Sequence, residues 1–154
     1  MRKKVSLLYK RANQIPHSAL RTPHSVWRLL DANTNRAREG LRVVEDTARF
    51  VLGKPEASTA LRGLRHKLDE LVRAHYGTLL QNRDVETDSG RSNAAAAHKG
   101  GVPALLASNF KRCEEALRVL EEYGRVVSPK AVSRVQSLRF QVYQWEKKLL
   151  QPQS

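Results

Sequence analysis

Residues 33–49 and 109–125 read as two versions of one segment, and an internal repeat constrains a fold more tightly than any local propensity. With Asn33 set on Asn109, Arg36 falls on Arg112, Glu39 on Glu115, Leu41-Arg42-Val43 on Leu117-Arg118-Val119, Glu45 on Glu121 and Arg49 on Arg125, so that eight of 17 positions are identical. The register then shifts by two residues where Pro55 meets Pro129. It resumes with Leu64-Arg65 on Leu138-Arg139 and Leu68 on Val142. A shift confined to a turn is what a duplicated hairpin tolerates.

The hairpin is helical. After Ser25, a candidate cap, apolar residues recur at helical spacing through Leu29, Leu30, Ala37, Leu41, Val44, Ala48 and Val51, until Gly53 ends the helix and Pro55 opens another. The second stripe is Leu61, Leu64, Leu68, Leu71 and Val72, closed by Gly77. A third helix from Pro103 carries Leu105, Leu106, Cys113, Leu117 and Leu120; a fourth from Pro129 carries Val135, Leu138, Val142, Trp145 and Leu149. No run alternates with period two over strand length. The expected fold is all-α, a four-helix bundle made from a duplicated hairpin with internal pseudo-two-fold symmetry and helices near 26–52, 55–76, 103–127 and 129–149.

The expected domain layout is a basic arm over 1–24 and a helical domain over 25–150, with repeats near 26–76 and 103–149 and a connection over 77–102. Connections longer than about 12 to 15 residues are uncommon in compact domains and often functional. Its first part, with Arg83, Asp84, Glu86 and Asp88, reads as a loop that closes over a site, and Ser92 to His98 reads as a short alanine-rich spacer helix.

Charge narrows the partners. Lys and Arg number 28 against 15 Asp and Glu, a formal net charge of +13, which attracts anions such as phosphorylated metabolites or nucleic acid. Much of the excess lies near the N-terminus, where Arg2, Lys3, Lys4, Lys10, Arg11 and Arg21 of the arm and then Arg28 meet no acid in the first 30 residues. No stretch reaches the roughly 20 apolar residues of a membrane span, and the basic start lacks an apolar export signal. The lone Cys113 makes no internal disulfide and reads as an inert core thiol. A reducing cytoplasm is the expected location.

On a helical wheel at about 100° per residue, Arg38, Arg42, Glu45 and Arg49 take the solvent face as ordinary surface pairs. Asn33 and Arg36 instead fall on or beside the apolar face with Glu39 next to them, and the repeat does the same with Asn109, Arg112 and Glu115. Two readings stay open. Either these are buried Arg–Glu pairs that lock the hairpins in register, or they line a polar cleft on the pseudo-axis in which guanidiniums bind phosphate and oxygen ligands hold a metal. Arg65 and Arg139 could reach the same cleft; His66, about 100° round from Arg65, reads as a surface residue. Phosphate loops, dinucleotide-binding glycines and nucleophile motifs are absent from the sequence, so any chemistry is carried by side chains.

Asn33 to Asp46, Leu64-Arg65-His66, Arg83-Asp84-Val85 with Asp88, Asn109 to Arg112 and Glu115 to Tyr123 together resemble the small monofunctional hydroxymethylpyrimidine phosphate kinases of thiamine biosynthesis, over roughly residues 26 to 148. Members stand alone or are fused in front of thiamine phosphate synthase. The chain departs from the family pattern at Asp88-Ser89-Gly90 and at His98-Lys99-Gly100-Gly101. The resemblance implies ATP-dependent phosphorylation of 4-amino-5-hydroxymethyl-2-methylpyrimidine phosphate to the diphosphate, with ATP and Mg²⁺ as cofactors. It also implies catalytic roles for Arg36, Arg112, Arg83 and Asp84, and substrate or phosphate contacts from Asn33, Arg65, His66, Asn109 and Arg139. Glu39, Asp84, Asp88 and Glu115 are the implied metal ligands. The expected partners are the phosphorylated pyrimidine and ATP, with a functional link to thiamine phosphate synthase and a homodimer through exposed Trp27 or Tyr143. Nucleic acid is the less expected partner, and no membrane is expected. The competing readings are a basic nucleic-acid-binding module, a structural adaptor, and a non-catalytic N-terminal domain of a thiamine phosphate synthase.

Overall fold

A computed structural model describes residues 23–87 and 100–151. The basic arm, Asp88 and the alanine-rich spacer lie outside the described residues, apart from the last two residues assigned to the arm. Those two belong to the bundle. Helix α1 begins at Pro23, ahead of Ser25, and runs over Pro23–Asp46. A π-helical turn, Thr47–Val51, continues it. Gly53, at φ +61°, then reverses the chain in a left-handed conformation that side chains beyond glycine disfavour.

Helix α2 spans Pro55–Val72 with proline in its first turn. Gly77 does not end this hairpin, contrary to expectation. A 3₁₀ turn over Arg73–His75 leads into helix α3, Tyr76–Gln81, which buries Leu79. That helix stops where the Asn82 side-chain amide donates to the Thr78 carbonyl at 2.7 Å. The connection between the repeats is therefore shorter than expected. Helix α4 covers Gly101–Val127, and after a 3₁₀ turn at Pro129–Ala131 helix α5 covers Val132–Leu150. The described residues contain no strand, and the fold is all-α.

Packing follows the repeat. Helix α1 lies most extensively on α4, each packs on the second helix of its own hairpin, and α2 meets α5. Trp27 shares a cavity wall with Val127 and Ser128, while further along α1 Gly40 lies against Asn109 and Cys113. Numbering thus rises along α1 as it falls along α4, the antiparallel arrangement a two-fold axis generates. A Cβ at Gly40 would stand 3.0 Å from the Asn109 carbonyl oxygen, so glycine permits the close crossing.

The core is made largely of the anticipated stripes: Leu30, Ala37, Leu41, Val44 and Ala48; Leu61, Leu64 and Leu68; Leu106, Cys113, Leu117 and Leu120; Val135, Leu138 and Val142. Fully buried Phe110, outside the anticipated stripe, joins them, whereas Leu105 is only half-buried. Burial pushes the Cys113 thiol up to about 12, in keeping with an inert thiol. Val51 departs from its stripe and is 60% exposed. The wheel assumes α-helical phase, whereas the π turn, closed by Leu52 N–H to the Thr47 carbonyl at 3.0 Å, inserts an extra residue and rotates the side chains beyond it out of that phase. No helix among the described residues is long and apolar enough to cross a membrane. The expected dimer contacts are partly occupied: Trp27 packs on the core and the Tyr143 hydroxyl accepts from Arg139 at 2.9 Å.

Candidate functional site

Where α1 and α4 cross, the two helices line a cleft of about 610 Å³, with the small residues Gly40 and Ala116 among its walls. Its walls come in equivalent pairs: Asn33 and Asn109, Arg36 and Arg112, Glu39 and Glu115, Gly40 and Ala116, Val43 and Val119. Both repeats thus contribute the same positions to one space. Residues three and four apart share a helix face, which is why Asn33, Arg36, Glu39, Gly40 and Val43 arrive together.

The six polar residues are held differently. Asn33 and Asn109 are buried, and each donates its amide N–H₂ to the carbonyl four residues back, Leu29 and Leu105, both at 2.9 Å. That bond fixes the side chain and turns Oδ1 the other way. Arg36, Glu39, Arg112 and Glu115 are exposed to the cleft, and among the described residues none makes an ion pair or hydrogen bond. They are not the buried Arg–Glu locks that were the alternative reading.

Those locks exist, built from other residues. Glu45, placed on the solvent face by the wheel, is fully buried. Arg62 donates Nε to its Oε1 at 2.9 Å, and Arg65 approaches Oε2 at 3.1 Å through Nη2 and 3.2 Å through Nε. Burial works to raise the Glu45 carboxyl, but hydrogen bonds and positive charge from Arg62 and Arg65 outweigh it and hold the group below its ordinary range. Its repeat equivalent Glu121 is also fully buried, and Arg139 grips Oε2 with Nη2 at 2.8 Å and Nε at 3.0 Å. The wheel missed this because each first helix of a hairpin has two neighbours, so its buried arc is wider than one apolar stripe. The repeat itself carried a signal: Glu45 and Arg65 recur as Glu121 and Arg139.

Several expected site residues consequently sit elsewhere. Arg65 and Arg139 are not cleft residues, because their guanidiniums are committed to Glu45 and Glu121. Arg65 does border a shallower groove beside Glu39. His66 is exposed on α2 and does not line the cleft.

Nor do Arg83 and Asp84 line it. Arg83 makes a two-pronged bond to buried Asp31, Nε at 2.8 Å and Nη2 at 2.7 Å, and Asp84 pairs with Arg28 at 3.1 Å. Hydrogen bonds from the Thr87 hydroxyl and backbone, with one from the Glu86 backbone, hold the Asp84 carboxyl down at about 2. This segment is pinned to the start of α1, away from the crossing. Of the expected metal ligands, Glu39 and Glu115 share the cleft, Asp84 does not, and Asp88 lies outside the described residues. Among the described residues no three His, Cys, Asp or Glu side chains cluster as a metal site.

Comparison with known proteins bears on this arrangement. The chain is 43% identical over 131 residues to a protein named thiamine-phosphate synthase from Synechocystis, covering 84% of this chain and 37% of that one. It is 40% identical over 127 residues to a protein of the same name from a Nostoc strain, covering 81% of this chain and 35% of that one. A Synechococcus protein, again so named, is 40% identical over 123 residues, 79% of this chain and 34% of its own. The chain thus spans about a third of the length of these curated relatives. No solved structure matches it. Residues 28–148, which include both repeats and the whole cleft, match the ThiD2 family, and the chain belongs to that family.

Proposed function

We propose that the chain phosphorylates 4-amino-5-hydroxymethyl-2-methylpyrimidine phosphate to the diphosphate at the expense of ATP, as a step of thiamine biosynthesis. The observation that carries this reading is the cleft with two guanidiniums and two carboxylates, unpaired among the described residues and supplied equivalently by both repeats. Family membership and relatives whose name contains thiamine support it.

The chemistry suits these residues. The bond from the γ-phosphorus to the bridging oxygen of ADP breaks, and a bond to a phosphate oxygen of the pyrimidine forms. The acceptor oxygen is already anionic near neutral pH, so no general base is required. What opposes the reaction is repulsion between two anions, and phosphoryl transfer is accelerated mainly by positioning and charge neutralisation. Arg36 and Arg112 are assigned to phosphate oxygens of donor and acceptor, one from each repeat. The carboxylates of Glu39 and Glu115 and the amide oxygens of Asn33 and Asn109 form a hard oxygen donor set that fits Mg²⁺. Bound there, the ion would neutralise and orient phosphate oxygens. A cytoplasmic location accompanies this reading.

A second reading has one observation in its favour: the chain matches only about a third of the length of relatives that are named for a synthase. On that reading the chain is a non-catalytic part of a thiamine-phosphate synthase. Incubating the purified chain with ATP, Mg²⁺ and the pyrimidine phosphate decides between them. Formation of equal amounts of ADP and pyrimidine diphosphate, slowed by roughly 10²- to 10³-fold in Arg36→Ala and Arg112→Ala, is expected. A folded chain that yields neither product overturns the kinase reading.

A further inference from the structure

The cleft itself cannot tell one substrate from the other, because its polar residues are the same from both sides. What breaks the symmetry lies next to it. Beside Glu39 opens a groove of about 310 Å³ lined by Asn35, Arg38, Glu39, Arg42 and Arg65. Asn35 and Arg38 also line the next hollow, of about 400 Å³, whose far walls include Arg73 and Tyr76. Cleft, groove and hollow are thus joined through shared residues along the first repeat. On the second repeat, the position equivalent to Arg38 is Glu114, a buried carboxylate held by Lys111 at 2.8 Å, with Lys111 bound in turn to Glu146 at 3.0 Å. A cation faces outward on one side where a carboxylate is tied down on the other.

We infer that the nucleotide binds along the first repeat: its phosphates follow Arg38 and Arg42 into the cleft, and its nucleoside lies in the hollow at Tyr76. The pyrimidine phosphate then enters from the second repeat. This inference rests on the kinase reading above and adds the polarity that the repeat leaves undetermined.

Three features fit a nucleoside polyphosphate. Arg38 and Arg42 are half-exposed and bonded closely to the partly exposed carboxylates of Asp69 and Asp46, both at 2.9 Å, and Arg42 keeps in addition a long contact to buried Glu45 at 3.8 Å. Such pairs contribute little, so phosphate oxygens can replace them at small cost. Arg73 is exposed and makes no ion pair among the described residues. Tyr76 is 51% exposed, leaving ring surface for a base to stack on. The single phosphate of the acceptor needs no comparable track.

Calorimetric titration of the full chain with Mg·ATP, and separately with the pyrimidine phosphate, tests the polarity. The variants are Arg38→Gln, Arg73→Gln and, on the second repeat, Arg118→Gln, the equivalent of Arg42. Thermal melts establish that each is folded; Arg73→Gln breaks no ion pair seen in the fold and so serves where Arg38→Gln is destabilised. Arg38→Gln and Arg73→Gln are expected to weaken Mg·ATP binding about tenfold or more and leave pyrimidine phosphate binding within about twofold, whereas Arg118→Gln leaves Mg·ATP binding unchanged. Equal weakening from both repeats, or loss of nucleotide binding in Arg118→Gln alone, overturns the polarity while leaving the kinase reading intact. Failure of the unaltered chain to bind any nucleotide overturns both.

Discussion

Two sets of arginines and glutamates, drawn from the same repeat, meet opposite fates in this bundle. At Glu45 and Glu121 the carboxylates are fully buried and every oxygen is met by a guanidinium. At Arg36, Glu39, Arg112 and Glu115 the charges stand open to a cleft, unpaired among the described residues. A buried charge left unpaired destabilises the fold by several kcal/mol; a charge at an open cleft keeps its water and costs the fold little. The difference separates what holds the hairpins from what remains available to a ligand.

The comparison breaks most visibly if the buried set is cut. In Arg139→Ala both donors to Glu121 Oε2 vanish at once, and in Arg65→Ala those to Glu45 Oε2 do. Each is expected to lose roughly 2–3 kcal/mol of stability by denaturant unfolding, because Oε2 of a buried carboxylate loses its donors while the guanidiniums at Oε1 remain. A loss below about 1 kcal/mol in either would show that the carboxylate finds water.

The open set should behave in reverse. Arg36→Ala and Arg112→Ala are expected to change stability by no more than about 0.5 kcal/mol while kinase turnover falls by roughly 10²- to 10³-fold. Melting temperature and rate measured on one preparation separate the two classes. A destabilised Arg112→Ala variant whose folded fraction turns over normally would move that residue into the structural set.

Gly40 links the regions, since the crossing it permits sets the cleft's width. Gly40→Ala brings a Cβ to 3.0 Å from the Asn109 carbonyl oxygen. A loss of about 1–3 kcal/mol is expected, as for overpacked cores, with a larger proportional loss of activity as Asn109 is displaced. A fully active, fully stable Gly40→Ala protein would show that the helices part freely there.

The smallest effect concerns Glu114, a buried carboxylate outside both sets, one of whose oxygens, Oε1, has no hydrogen-bond partner among the described residues. Burial pushes its carboxyl up to about 7; Lys111 opposes this and nearby Glu146 adds to it. Because the folded pKa lies above the unfolded value, the native state binds more protons in between, so this group's contribution falls as pH rises from about 4.5 through 7. Glu45, held below its ordinary range, acts oppositely: its contribution is present above the unfolded value of 4.5 and is lost as pH falls through the folded one. Glu114→Gln should flatten the stability profile between about pH 5 and 8 when melting temperature is followed. An unchanged profile would place the titration elsewhere.

Much of this molecule was legible from spacing. The stripes through Leu41, Leu64, Leu117 and Leu138 define the helices and the core, and the repeat places Asn33, Arg36 and Glu39 with their equivalents on one shared face. Other features were not legible, and each for a local reason. Val51 left its stripe because a π turn changes the residues per turn, and Gly77 lies inside helix because burial of Leu79 extends the hairpin. Arg83 and Asp84 read as loop charges for a site, yet partners on α1, Asp31 and Arg28, capture them.

The sequence by itself determined that the chain is a duplicated helical hairpin and that Asn33, Arg36 and Glu39 occupy the same helix positions as Asn109, Arg112 and Glu115, because periodicity and repetition are properties of the chain alone. Only the tertiary structure decided which arginines are committed to the fold. Whether a guanidinium is free depends on what the neighbouring helix buries against it, and one helical wheel cannot represent a second neighbour. Glu45 and Glu121 are invisible as core residues until α2 and α5 cover them. Once covered, they claim Arg65 and Arg139, while Arg36 and Arg112, at a crossing held open to solvent, stay unclaimed.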